Sequence, residues 1–95
     1  QPMNNNYKKG RHNEYRSIKV LEAVGYFCVR AAGSHGPFDI VGLTASDIVV
    51  VQCKTGEWPS PAEMESMRLV PVPANCRKLV HRWNDRAKLP VVKEV

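Results

Sequence analysis

The chain has 95 residues, 43% hydrophobic and 24% charged, with a formal net charge of +5. That length supports one domain with one modest core, marginally stable alone and suited to dimerisation, and the excess of positive charge favours an acidic partner. No apolar run is long enough to span a bilayer and no secretory signal pattern opens the chain, so an intracellular protein with no membrane attachment is expected.

Residues 1–9 are polar and rich in asparagine, which predicts a flexible basic arm whose Lys8 and Lys9, with Arg11 and His12 just beyond it, are placed to touch phosphate; residues 10–95 form the single folded domain. A helix is predicted from residue 11 or 13 to residue 24, stopped by Gly25. Its inward stripe contains Ile18 and Leu21, with Tyr15 and Val24 as candidates to extend it. Glu14 lies one turn before Ile18, close to that stripe, and a carboxylate there needs a metal or a positive partner unless it faces water.

Residues 26–32 read as a first strand carrying Arg30 as a surface or phosphate contact. The loop Gly-Ser-His-Gly-Pro at 33–37 follows, and its glycines allow a close backbone approach while Ser34 and His35 supply small polar groups. It serves equally as a DNA-facing loop or an ordinary turn.

Residues 38–54 are the stretch on which the rest is organised. A short apolar run, a polar turn at 44–47 and the run Ile-Val-Val-Val-Gln-Cys-Lys predict a hairpin whose second strand is central and covered on both faces. Strand alternation puts Ile48, Val50, Gln52 and Lys54 on one face and Val49, Val51 and Cys53 on the other. Gln52 and Lys54 therefore emerge together at the strand end, where Asp39 reaches them if the hairpin pairs as its turn implies.

A short helix is predicted over 61–69 with Ser60 as its cap, then a strand over 78–83 and an edge strand over 90–95. Met64, Met67, Leu69, Val70 and Trp83 are candidates for core or for a dimer surface, with core favoured two to one. Cys28, Cys53 and Cys76 are odd in number and widely spaced, which fits reduced core residues and neither a disulfide framework nor a zinc site.

Charge is arranged in three blocks. Residues 1–36 carry six Lys or Arg against two acids, residues 37–67 carry one against five, and residues 68–95 carry seven against two. Acidic groups between basic flanks suit a nucleic-acid enzyme with metal-binding carboxylates inside a phosphate-attracting surface, and equally a solubilising surface.

Singly, Asp39, Gln52 and Lys54 have structural explanations as a turn carboxylate, a satisfied polar group and a snorkelling strand end. Together with Glu14 they match what phosphodiester hydrolysis requires: charge neutralisation, a polarised water and a stabilised leaving oxygen, supplied by Mg²⁺ held on oxygen ligands. Asp39 is the principal candidate ligand, Glu14 a direct or water-mediated one, and the backbone carbonyl of Cys53 a neutral one. Lys54 is suited to positioning the attacking water and stabilising phosphate charge.

The segments Lys9-Gly10-Arg11-x-x-Glu14, Arg30-Ala31-Ala32-Gly33-Ser34-x-Gly36-Pro37-Phe38-Asp39-Ile40 and Val51-Gln52-Cys53-Lys54-Thr55 resemble the PD-(D/E)xK nuclease superfamily, and more closely its archaeal-type Holliday junction resolvases, over residues 9–56. The resemblance implies a restriction-endonuclease-like α/β fold, a small central mixed β-sheet flanked by helices. It implies Glu14, Asp39 and Lys54 as active-site residues, position 52 as a metal-ligand position and Ser34 near the site. Lys9, Arg11 and Arg30 become phosphate contacts. It further implies a homodimer acting on four-way junction DNA with Mg²⁺ or Mn²⁺, in the cytoplasm or nucleoid of a prokaryotic cell or phage-infected host.

The departure is Gln52, where these resolvases carry glutamate. Glutamine keeps a carbonyl oxygen but removes one negative charge. Branches of the wider superfamily use it naturally, and an inactivating substitution would also produce it. Two other readings therefore stand beside a junction resolvase: a related nuclease acting on flaps, mismatches or duplex DNA, and an attenuated junction-binding protein.

Overall fold

Gly25 ends the first helix, as its position in the sequence requires. In the computed structural model α1 spans Asn5–Ala23, and Gly25 follows at φ 100°. The Tyr26 amide reaches back to the Leu21 carbonyl at 3.1 Å and the Gly25 amide to Glu22 at 3.0 Å, the paired bonds of a Schellman cap. The structure describes residues 5–31 and 36–95, with side chains from Gly10 onward. Ser34, His35 and the side chains of Lys8 and Lys9 lie outside the described residues.

Two expectations for α1 need correction. The helix begins at Asn5 rather than at residue 11 or 13, so its backbone takes in residues 5–9 of the expected arm. Its inward stripe is also rotated: Leu21 is buried and Ile18 packs at the core edge, but Tyr15 and Val24 are 51% and 70% exposed. Asn13 and Ser17 are buried instead. Both have partners that make burial tolerable, since Asn13 donates to the Thr55 hydroxyl at 3.0 Å and Ser17 meets His81 and Trp83 at 2.9 and 2.8 Å.

The sheet has five strands in the order β1-β2-β3-β4-β5: β1 Phe27–Arg30, β2 Ile40–Leu43, β3 Ile48–Thr55, β4 Cys76–Trp83 and β5 Val91–Glu94. Neighbours are antiparallel except β3 and β4, which run parallel because α2, Pro61–Leu69, carries the chain back between them. The expected fold class, a small mixed sheet flanked by helices, is the one observed, with β3 central and β5 at an edge. Helix α2 starts where its sequence says it should. Ser60 and Glu63 form a reciprocal capping box, and Pro61 occupies the first turn, where its missing N–H is harmless.

The two faces of β3 divide as alternation predicts. Val49 and Val51 are buried with Ile40, Leu79 and Leu21 of α1, and Cys53 packs at the edge of that cluster. The opposite face is met by α2, where Glu63 reaches Lys54 and the Arg68 carbonyl accepts from Lys78 at 2.8 Å. Met67 and Trp83 are both fully buried, which makes them core, whereas Leu69 is exposed. Gly42 is demanded by the packing on the α1 face, because a Cβ there would come within 2.8 Å of Val49 Cγ2 and 3.3 Å of the Tyr26 ring.

Candidate active site

The site is built where β2 gives out beside the still-extended β3. Asp39 precedes β2 and its backbone is bonded on both sides: its amide donates to Val51 and its carbonyl accepts from Ala31, each at 2.8 Å. Its carboxylate takes the next place in the ladder, accepting from the Cys53 amide at 2.8 Å. A strand residue projects its N–H and C=O to the same side, so the Cys53 carbonyl faces this gap as well.

Glu14 approaches from α1. Its carboxylate accepts a 2.8 Å bond from Arg30 Nε, and both side chains are 21% exposed. Arg30 is thus the positive partner that a half-buried Glu14 calls for, and its guanidinium also lies 5.0 Å from the Tyr15 ring. Arg11 sits one turn before Glu14 on the same helix.

Burial pushes the Asp39 carboxyl above the usual carboxylate range and the charge of Glu14 adds to the shift; the Cys53 amide, Lys54 and Arg30 oppose it without reversing it. Glu14, Asp39, Arg30 and Lys54 therefore share one electrostatic neighbourhood. The Cys53 thiol points the other way, toward Ser17, and burial drives it up to about 12, so it stays a neutral thiol. Any ligand role for Cys53 falls to its backbone.

Gln52 and Lys54 extend from the α2 side of β3. Gln52 Oε1 is buried and, among the described residues, has no hydrogen-bond partner. With Gly36, Pro37, Glu63 and Ser66 it lines a cleft of about 300 Å³. Lys54 Nζ lies 3.4 Å from Glu63 Oε2, while Glu63 Oε1 accepts from the Ser60 amide at 2.9 Å. That amide first, and Lys54 next, hold the Glu63 carboxyl below its ordinary range. A larger groove of about 490 Å³, lined by Val20, Val24, Trp83 and Leu89 among others, lies apart from these residues.

No family model matches the sequence. No curated protein matches it either. Among solved structures it is similar to Hjc of Archaeoglobus fulgidus, a Holliday junction resolvase from an archaeal hyperthermophile, with a TM-score of 0.67 and 20% identity over 80% of this chain and 68% of that one. The fold is restriction-endonuclease-like.

Within that fold, the donors present suit a hard divalent cation. Asp39 and Glu14 supply anionic oxygen, while Gln52 Oε1 is a buried acceptor with no donor among the described residues, a state that costs about 1–3 kcal/mol where nothing satisfies it. Among the described residues no group of three or more His, Cys, Asp or Glu forms a metal-binding cluster.

Two features escaped sequence reasoning. The sequence marks Ser60 as the cap of α2 but does not single out Glu63, whose place nine residues after Lys54, across a turn from the strand end, is the local signal of that contact. The buried set Ser17, His81 and Trp83 joins residues 64 and 66 positions apart and leaves no local pattern. Trp83 donates its indole N–H to Ser17 Oγ, which leaves the serine hydroxyl proton for His81 Nδ1 or the Cys53 sulfur.

Proposed function

We propose that this chain is a structure-selective DNA endonuclease that resolves four-way junctions by metal-dependent phosphodiester hydrolysis, acting as a homodimer. The observation that supports the reading is the Asp39 carboxylate held by the Cys53 amide within the fields of Glu14 and Lys54, with Gln52 Oε1, on the same face of β3 as Lys54, buried and without a partner among the described residues. The fold similarity to a junction resolvase supports the choice of substrate.

In this reading Asp39 and Glu14 would hold Mg²⁺ or Mn²⁺, with Gln52 Oε1 and the Cys53 carbonyl as the neutral oxygens available to it. The cation, when bound, supplies charge neutralisation at the scissile phosphate and lowers the pKa of a bound water. Asp39 is oriented by the Cys53 amide before any substrate arrives, and Arg30 holds the Glu14 carboxylate in place through their 2.8 Å ion pair. Lys54 directs a positive charge at the phosphate and orients the attacking water once it leaves Glu63. Arg11 and Arg30, with Lys8 and Lys9, whose side chains are not described, and Ser34 and His35 from outside the described residues, are the DNA contacts of this reading.

The deciding experiment is cleavage of a strand-labelled four-way junction in Mg²⁺ and Mn²⁺, beside a linear duplex of the same arm sequences and a Gln52→Glu variant. Paired nicks in opposed strands of the junction are expected. Preferential cutting of the linear duplex would move the reading to another nuclease of the same fold.

A second reading, an attenuated junction-binding protein, is favoured by the neutral Gln52 and by the engagement of Lys54 with Glu63. It predicts junction binding without nicking by the natural sequence, and cleavage restored by Gln52→Glu if the missing charge is the cause.

A further inference from the structure

The α2-side face of the sheet carries cations well beyond the residues already discussed. The register sets two rows across β3, β4 and β5: Lys54 beside Arg82 beside Val91, and Gln52 beside Val80 beside Lys93. Paired residues share a face, and adjacent strands are about 4.8 Å apart, so Arg82 and Lys93 continue from Lys54 over roughly 10 Å.

Trp58 lies against both cations. The Arg82 guanidinium is 4.6 Å and Lys93 Nζ 5.6 Å from its ring centroid. Among the described residues neither cation has an ion-pair partner, and Glu94, the neighbour of Lys93, pairs with Leu79 on the opposite face. Arg82 Nε is buried with no acceptor among the described residues. Two like charges gathered on one indole, one of them with an unsatisfied buried donor, form an arrangement that an anionic ligand completes.

We infer that Trp58, Arg82 and Lys93 form a second nucleic-acid contact, a track for the phosphate backbone of the DNA strand that continues past Lys54. The inference rests on the nuclease reading for the direction of the strand. Spacing and charge favour this ligand: the cations step away from the proposed scissile position at intervals comparable to a strand's own advance, and each offers donors to phosphate oxygen. Trp58 holds the two side chains in place and offers a π-face to a base where the strand is unpaired.

The test is binding of a fluorescein-labelled four-way junction without divalent metal, by anisotropy over 50–200 mM salt, for the natural chain and for Arg82→Gln with Lys93→Gln. Loss of two phosphate contacts should reduce the slope of log K against log salt by about two and weaken binding about tenfold toward the low-salt end. Lys93→Glu alone, at an exposed position on the edge strand, keeps the test valid should the Arg82 change harm folding. Quenching of Trp58 emission on DNA addition, read in a Trp83→Phe background, reports the contact directly.

Junction binding at natural affinity and slope in both variants overturns the inference and leaves the nuclease reading intact. Loss of slope with no cleavage by the natural chain or by Gln52→Glu sinks the nuclease reading and leaves this contact standing. Tighter binding of poly-glutamate than of DNA through the same residues overturns it in favour of an acidic protein partner.

Discussion

The Asp39 carboxylate accepts a 2.8 Å hydrogen bond from the Cys53 amide, and yet its charged form is disfavoured in the fold. Burial beside Glu14 outweighs the amide, Lys54 and Arg30 together. An acid held in this way is oriented in advance and destabilised by its own charge, and a bound cation relieves the second condition while using the first.

Asp39→Asn is therefore expected to abolish metal-dependent cleavage while raising thermal stability at neutral pH. The raised carboxyl makes the native state bind a proton more tightly than the unfolded chain, so natural-chain stability falls as pH rises from the ordinary carboxylate value through the raised one. The advantage of the asparagine variant should be full above that window and shrink as pH falls below it. Adding Mg²⁺ should raise the Tm of the natural chain and leave the variant unmoved; calorimetry across pH and metal concentration checks both.

Glu63 has two jobs that substitution separates. Glu63→Gln keeps an acceptor for the Ser60 amide and so preserves the capping box, but it removes the charge beside Lys54. Metal-free junction binding should tighten about two- to fivefold, the scale of an exposed ion pair, with unfolding unchanged. Ser60→Ala should do the reverse, lowering stability by about 1 kcal/mol with little effect on DNA affinity. Equal effects of both changes on binding would mean that Glu63 acts on Lys54 only through the helix.

His81 is buried against Ser17, and burial lowers its pKa from 6.5 to about 4. The unfolded chain binds the extra proton first, so the stability held with a neutral imidazole is complete above about pH 6.5 and is lost as pH falls toward 4. The loss amounts to about 3 kcal/mol. Denaturant unfolding at stepped pH should show this acid limb in the natural chain and a flatter one in His81→Phe.

Gly42→Ala tests the packing under the site. The added methyl meets Val49 Cγ2 at 2.8 Å inside the α1 face, so a loss of about 1–3 kcal/mol is expected, measured by urea unfolding. Full stability in that variant would show that Val49 and Tyr26 have room to move.

Much of this architecture is local and was legible as such. The β-branched run at 48–51 reads as a central strand because alternation and strand preference act over a few residues, and the observed β3 carries its buried side chains at Val49 and Val51 as alternation requires. Ser60 and Pro61 announce the start of α2, and Gly25 the end of α1, because caps are made by neighbours in the chain. Asp39, Gln52 and Lys54 could be brought together on paper for the same reason, since a short turn sets the pairing of the strands that carry them.

What local pattern could not supply was the rotation of α1 and the choice of charged partners. An apolar stripe placed Tyr15 and Val24 inward, but the helix turns Asn13 and Ser17 to the sheet, where Thr55, His81 and Trp83 satisfy them. Polar groups that find partners across the fold bury as readily as apolar ones, and those partners lie 42 to 66 residues away. The pairing of Glu14 with Arg30, of Lys54 with Glu63, and of Trp58 with Arg82 and Lys93 likewise depends on strand register and helix position together. The sequence by itself determined that Asp39, Gln52 and Lys54 lie toward one end of the central hairpin; only the tertiary structure decided which charge faces which, because electrostatic partnership follows distance in space and side-chain burial, and neither is written in spacing along the chain.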